Sequence, residues 1–157
     1  MHFSLIEIVA SFMVLFAIID IPGSIPIILD IKVKTGNVNA MKATLVSLSI
    51  FLVFLVFGEK LLNIFGIDAN SFAIAGAFII FLLGMEMVLG AEFFHHDSPG
   101  GGTIVPIAFP LIAGAGSITT VLSLRAEYHT LNILIALILN MIIVYFVLRS
   151  TTAIERF

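Results

Sequence analysis

Five apolar runs of helix-crossing length limit what this chain can fold into; they cover residues 5–31, 41–62, 70–89, 104–124 and 131–148. A helix needs about 20 apolar residues to cross a hydrocarbon core about 30 Å thick, so each run is expected to span a bilayer. Of the 157 residues, 61% are hydrophobic and 11% charged, and the mean hydropathy is +1.23. A soluble domain carries roughly 25% charged residues, so the chain reads as an all-α, multi-pass membrane protein whose first partner is lipid.

Other function classes fall away on similar grounds. Without Cys there is no disulfide, thiolate metal site or cysteine nucleophile. A formal charge of −3 and the lack of a polybasic run point away from nucleic acid. No phosphate-cradling Gly loop, G-x-S-x-G elbow, H-E-x-x-H or carboxylate pair within one run is present, so no enzyme activity is expected. Glu92, His95, His96 and Asp97 share one loop, but adjacent histidines cannot both readily face one ion, so neither metal nor cofactor is expected. A coupling ion, H+ or Na+, stays open. The first run lacks a basic leader and carries Glu7, so it reads as a span and not as a cleaved signal.

Orientation follows from the basic residues. Lys32, Lys34, Lys42, Arg149 and Arg156 fall on one side of the expected membrane, Lys60 and Arg125 on the other. The positive-inside bias then puts the N-terminus outside and the first loop in the cytoplasm.

An internal repeat organises the runs. Gly23-Ser24-Ile25-Pro26 in the first run has a counterpart 93 residues later, Gly116-Ser117-Ile118-Thr119, and Phe16 matches Phe109 at the same offset. Each motif interrupts the run that opens one half of the chain. The expected organisation is a three-helix unit over residues 1–90, a linker over 91–103 containing Asp97-Ser98-Pro99-Gly100-Gly101-Gly102, and a second unit over 104–157. Because three is odd, such a duplication is inverted in the membrane. By the same offset a sixth span is expected after the fifth and is missing from this sequence; a genuine five-span protein is the alternative.

The rare polar groups in hydrocarbon are the candidates for function. Asp20 lies in Asp20-Ile21-Pro22-Gly23-Ser24-Ile25-Pro26, where the two prolines remove backbone donors and break the helix. An Asp at mid-span costs about 2.5–3.5 kcal/mol, so it normally faces protein or an aqueous cavity. Non-helical backbone at that depth either lines a site or is a proline kink in which Asp20 caps the next half-helix. Gly114, Gly116, Ser117, Thr119 and Thr120 repeat the theme in the fourth run, where the glycines permit unusual backbone and the hydroxyls serve a ligand or a neighbouring helix. Ser47, Glu86 and Asn140 are secondary candidates, and Asn140 corresponds to Ser47 at the 93-residue offset.

These residues resemble the MarC family of integral membrane proteins. Ile19-Asp20-Ile21-Pro22-Gly23-Ser24-Ile25-Pro26 is similar to its I-D-P-x-G-N-x-P pattern. Phe57-Gly58-Glu59 through Phe65-Gly66-Ile67, leading into Phe72-Ala73-Ile74-Ala75-Gly76, is similar to its F-G-I-S-x-x-x-F-R-I-A-G. Pro106-Ile107-Ala108-Phe109-Pro110-Leu111-Ile112-Ala113-Gly114-Ala115-Gly116-Ser117-Ile118-Thr119-Thr120 is similar to P-L-A-x-P-L-I-A-G-P-G-x-I-T. Proline one place late at Pro22, Ser24 in place of Asn and Ala115 in place of Pro depart from the family patterns. The resemblance implies six spans in two inverted triplets, both termini outside, in a prokaryotic plasma (inner) membrane. It also implies transport of small neutral amino acids, with Asp20, Pro22, Gly23, Ser24 and Pro26 meeting Gly114, Gly116, Ser117, Thr119 and Thr120 around the solute. A non-transporting membrane protein of structural or assembly role is the competing expectation, and a homo-oligomer stays open.

Overall fold

The computed structural model of the chain describes residues 3–35, 38–89 and 104–154. Among the described residues all regular structure is helical: α1 (Leu5–Ile19), α2 (Ile25–Thr35), α3 (Ala40–Ile64), α4 (Ala69–Leu89), an irregular segment Ile104–Ile112, α5 (Ala115–Glu127) and α6 (Thr130–Ile154). The 91–103 linker, with the Glu92, His95, His96 and Asp97 group, lies outside the described residues, as does the side chain of Glu86.

Local chemistry sets the helix limits. Ser4 caps α1 by accepting the Glu7 N–H at 3.4 Å, and Asn39 caps α3 by accepting that of Lys42 at 2.9 Å. Asp68 opens α4, accepting from Ser71 N at 2.7 Å and Ser71 Oγ at 3.1 Å. Two bonds close α3, Gly66 N–H to the Asn63 carbonyl (3.1 Å) and Ile67 N–H to that of Leu62 (3.0 Å), with Gly66 at φ 65°. That double closure needs a left-handed residue just past the helix end, which accounts physically for the Phe65-Gly66-Ile67 motif.

Among the described residues two helices, Ala40–Gly58 and Thr130–Thr151, are long and apolar enough to cross a membrane alone. Ile104–Ile112 and α5 form a third candidate span bent by 41°. α1 has 15 residues. At 1.5 Å per residue it is only about 22 Å long, so the first apolar run is continuous in composition but divided in structure.

Helix directions in a bundle can be read from its cross-helix bonds. Asn132 Nδ2 donates to the Glu7 carboxylate (2.7 Å) and Asn140 Nδ2 to the Phe12 carbonyl (3.2 Å), so α1 runs in the same direction as α6, while Lys32 Nζ of α2 donates to the Thr151 carbonyl (3.5 Å). Ser47 Oγ donates to the Ala108 carbonyl (3.2 Å) and Arg125 Nη1 to that of Val56 (2.9 Å), so α3 runs alongside residues 104–127. Leu15, Ile28, Phe51, Ile107, Ile118, Ile133 and Leu137 fill the core between these pairs. Outward positions carry exposed Phe, Ile, Leu and Val, among them Ile6, Val53, Phe57, Ile74 and Phe146. In lipid such side chains need no protein cover, and backbone polarity is met inside each helix.

Candidate functional site

The first break is a tight turn built around Asp20. Its N–H still closes α1 onto the Phe16 carbonyl (3.1 Å), while its own backbone turns left-handed at φ 40°. Asp20 is the one positive-φ residue other than glycine among those described, a conformation in which Asp is better tolerated than most residues. Its carboxylate accepts the Gly23 N–H at 3.2 Å, and its carbonyl accepts both Ser24 N–H and Ser24 Oγ at 3.0 Å. A Cβ on Gly23 would fall 2.8 Å from Asp20 Cγ, so a side chain there would push the exposed Asp20 carboxylate from its place on the Gly23 N–H.

Asp20, Gly23 and Ser24 are therefore brought together, and Asp20 and Gly23 are exposed while Ser24 is buried. The two prolines frame the turn. Pro22 contributes its carbonyl to Ile25 N–H (3.3 Å), and Pro26 occupies the first turn of α2, where its missing N–H breaks no helical bond. The carboxylate thus bonds within the turn, onto Gly23 ahead of α2, and it does so on an open face.

The second break is wider. Ile104–Ile112 is loosely wound, with extended backbone at Val105 and Phe109 and cis bonds preceding Pro106 and Pro110. Ala113 N–H reaches back five residues to the Ala108 carbonyl (3.0 Å), after which α5 starts at Ala115. Gly114 is extended (φ −87°, ψ 175°) and supplies no side-chain cap. The first amide to close the helix is Ile118, onto the Gly114 carbonyl at 2.9 Å, which leaves the N–H groups of Ala115, Gly116 and Ser117 without acceptors among the described residues.

Gly114 and Gly116 do not use the left-handed backbone expected of them: among the described glycines only Gly66 has positive φ. Gly116 lies in α5 one residue after its start, with space for a methyl group beside Ile18. The hydroxyls turn inward on the helix, Ser117 Oγ towards the carbonyls of Ile112 (2.9 Å) and Gly114 (3.0 Å), and Thr119 and Thr120 both onto that of Gly116 (2.9 and 2.8 Å).

The two breaks lie against each other. α1 packs on α5, and a Cβ on Gly116 would sit 3.9 Å from Ile18 Cγ2, two residues before Asp20. Ser47 and Asn140 stand behind the breaks. Ser47 bonds to Ala108 within the second, and Asn140 ties the Phe12 carbonyl of α1 while also donating to Ala136 (3.0 Å). Both are buried and both point at backbone.

A polar tether near the start of α1 escapes sequence reasoning. Glu7, expected at the membrane interface, accepts from His129 N–H (3.0 Å) and Asn132 Nδ2 (2.7 Å), so it caps α6 from another helix. Its partners lie more than 120 residues away in sequence, and no local pattern announces them.

The model of the MarC family integral membrane protein matches residues 5–157. A UPF0056 membrane protein of Methanocaldococcus jannaschii is 29% identical over 162 residues, covering 93% of this chain and 79% of the relative. A UPF0056 membrane protein of Aquifex aeolicus is 31% identical, covering 82% of this chain and 66% of the relative. The UPF0056 inner membrane protein YhgN of Escherichia coli K12 is 30% identical, covering 78% and 66%. The chain therefore spans about two thirds of the length of the last two relatives. No solved structure matches it significantly. With its motifs in order along nearly the whole length, the chain belongs to the MarC family of integral membrane proteins.

Proposed function

We propose that the chain acts as a secondary transporter of small neutral amino acids or similar small solutes, in a prokaryotic inner membrane with its N-terminus outside and its first loop cytoplasmic. The observation that carries this reading is the meeting of two interrupted helices at Ile18 and Gly116. Discontinuous helices that meet inside a membrane protein offer free amides and carbonyls where a solute needs them. The open amides of Ala115, Gly116 and Ser117 suit a carboxylate, and the exposed Asp20 suits an ammonium group or a coupling ion. No catalytic chemistry is assigned to any of them.

An inverted duplication is part of the proposal. Ser47 and Asn140 stand 93 residues apart, and each donates to a backbone carbonyl of the interrupted run in the opposite half. The shared direction of α1 and α6, and of α3 and residues 104–127, is the arrangement that alternating three-helix units require.

One observation favours the non-transporting alternative: Asp20 is engaged with Gly23, and Thr119 and Thr120 with Gly116, so their capacity is partly used in shaping the breaks. A counterflow screen of amino acids on reconstituted protein decides between the readings. Saturable exchange of alanine or glycine, with thermal stabilisation growing as RT ln(1 + [L]/Kd), supports transport. Neither exchange nor stabilisation by any amino acid supports the structural role.

A further inference from the structure

A second polar concavity lies beyond the breaks. The turn from α3 to α4 and one face of α5 enclose a cleft of about 360 Å³, into which Asn63, Asp68, Thr119 and Ser123 bring oxygen-bearing side chains from three elements. Leu62, Ile67 and Leu122 form its apolar wall. Thr119 and Ser123 are one helical turn apart on α5, which puts both on the same face.

We propose that this cleft binds a small solute carrying a primary ammonium group on a short apolar body. Among the described lining residues Asp68 is the one charged group, and it is anionic. Hydrogen bonds from Ser71 N–H and from the Ser71 hydroxyl hold its carboxyl below the ordinary aspartate range, against a small opposing effect of burial. The hydroxyls of Thr119 and Ser123 and the amide oxygen of Asn63 add acceptors for the remaining ammonium protons. A bare alkali ion calls for oxygens closed directly around it. A volume at the lower end of the range for small-molecule pockets, with three aliphatic walls, leaves room for an organic body instead.

The site is separate from Asp20 and is read at equilibrium, so absence of flux through the breaks does not decide it. The test follows the thermal unfolding of the protein in lipid nanodiscs, at constant ionic strength in choline chloride. n-Propylammonium chloride, choline propionate and sodium chloride are titrated in separate arms. Saturable stabilisation by n-propylammonium alone is expected. Asp68→Asn keeps the cap on Ser71, because Asn caps as well as Asp, and is expected to weaken the apparent affinity roughly tenfold or more. Ser123→Phe fills the cleft from an exposed position with Asp68 intact and is expected to abolish the effect, whereas Asp30→Asn, an acidic control on α2 that pairs with Lys34, leaves it unchanged.

Four results overturn the assignment. Equal stabilisation of Asp68→Asn removes the charge from the argument, and a retained effect in Ser123→Phe removes the cleft. Loss of the effect in Asp30→Asn shows a general response to acidic side chains in place of a site at the cleft. Stabilisation by sodium chloride or by propionate equal to that by n-propylammonium replaces the ammonium solute with an alkali ion or an anion.

Discussion

Gly116 packs against Ile18 with the space of one methyl group between them, a Cβ on the glycine falling 3.9 Å from the isoleucine Cγ2. That approach lies between the start of α5 and the end of α1, where the two helices pack together beside their breaks. Ala at position 116 fits there at ordinary van der Waals distance, and removing a helical glycine gains up to about 1 kcal/mol. Gly116→Ala is therefore expected to leave the unfolding midpoint unchanged or raised. Gly116→Leu continues past the Cβ into Ile18 and should cost about 1–3 kcal/mol. Chemical denaturation in mixed micelles measures both.

Three buried hydrogen-bonding side chains should behave differently when truncated. Ser47 bonds to Ala108, and Asn140 to Phe12 and Ala136, whereas the Ser11 hydroxyl is wholly buried with no partner. Interhelical hydrogen bonds in membranes average about 0.6 kcal/mol, so Ser47→Ala and Asn140→Ala should each destabilise by about that much or more, the second further by leaving a cavity. Ser11→Ala removes an unsatisfied group and should be neutral or stabilising. A stability ranking in which Ser11→Ala is the worst of the three would contradict these assignments.

At Gly58 α3 lies close against α5, since a Cβ there would collide with Leu122 Cδ2 and lie 3.4 Å from its Cγ. Leu122 is buried and has little freedom to retreat. Gly58→Ala should cost about 1–3 kcal/mol by overpacking. Added to Leu122→Ala, the same change should cost much less, because the smaller side chain vacates the space. A thermodynamic cycle with no coupling between the two positions would show that the helices do not pack through this pair.

The pH dependence of the α4 start follows from Asp68, whose carboxyl is lowered first by the Ser71 N–H and then by its hydroxyl. A depressed folded-state pKa contributes stability that is fully present above the unfolded value and disappears as pH falls through the folded one. Amide exchange at Ser71 and Phe72 should therefore be slow at neutral pH, after correction for intrinsic rates, and quicken once pH drops below the ordinary aspartate range. Ser71→Ala, which keeps the N–H, should shift that transition upward by only part of the full effect.

What the sequence discloses and what it conceals divide by range. The first break is legible because charge, proline and glycine act within a few residues: Asp20, Pro22 and Gly23 build it almost alone. The turn at Gly66 is likewise local. The irregular backbone of Ile104–Ile112 has a signal in Pro106 and Pro110, four residues apart, but hydropathy hides it because the segment is apolar throughout. Gly114 and Gly116 attract attention as conformational exceptions, whereas in the fold neither has positive φ and Gly116 faces Ile18 of a helix about a hundred residues away. Glu7 looks interfacial until α6 arrives beside it. These roles come from tertiary neighbours, which composition and periodicity do not encode.

The most direct test of the two breaks as one solute path is alanine counterflow in proteoliposomes carrying the protein, with Gly116→Leu and Asp20→Asn compared at matched reconstitution. The account predicts saturable exchange by the unaltered protein, loss of most of it in Gly116→Leu, and a marked reduction in Asp20→Asn. Exchange that persists unchanged in both variants would contradict it.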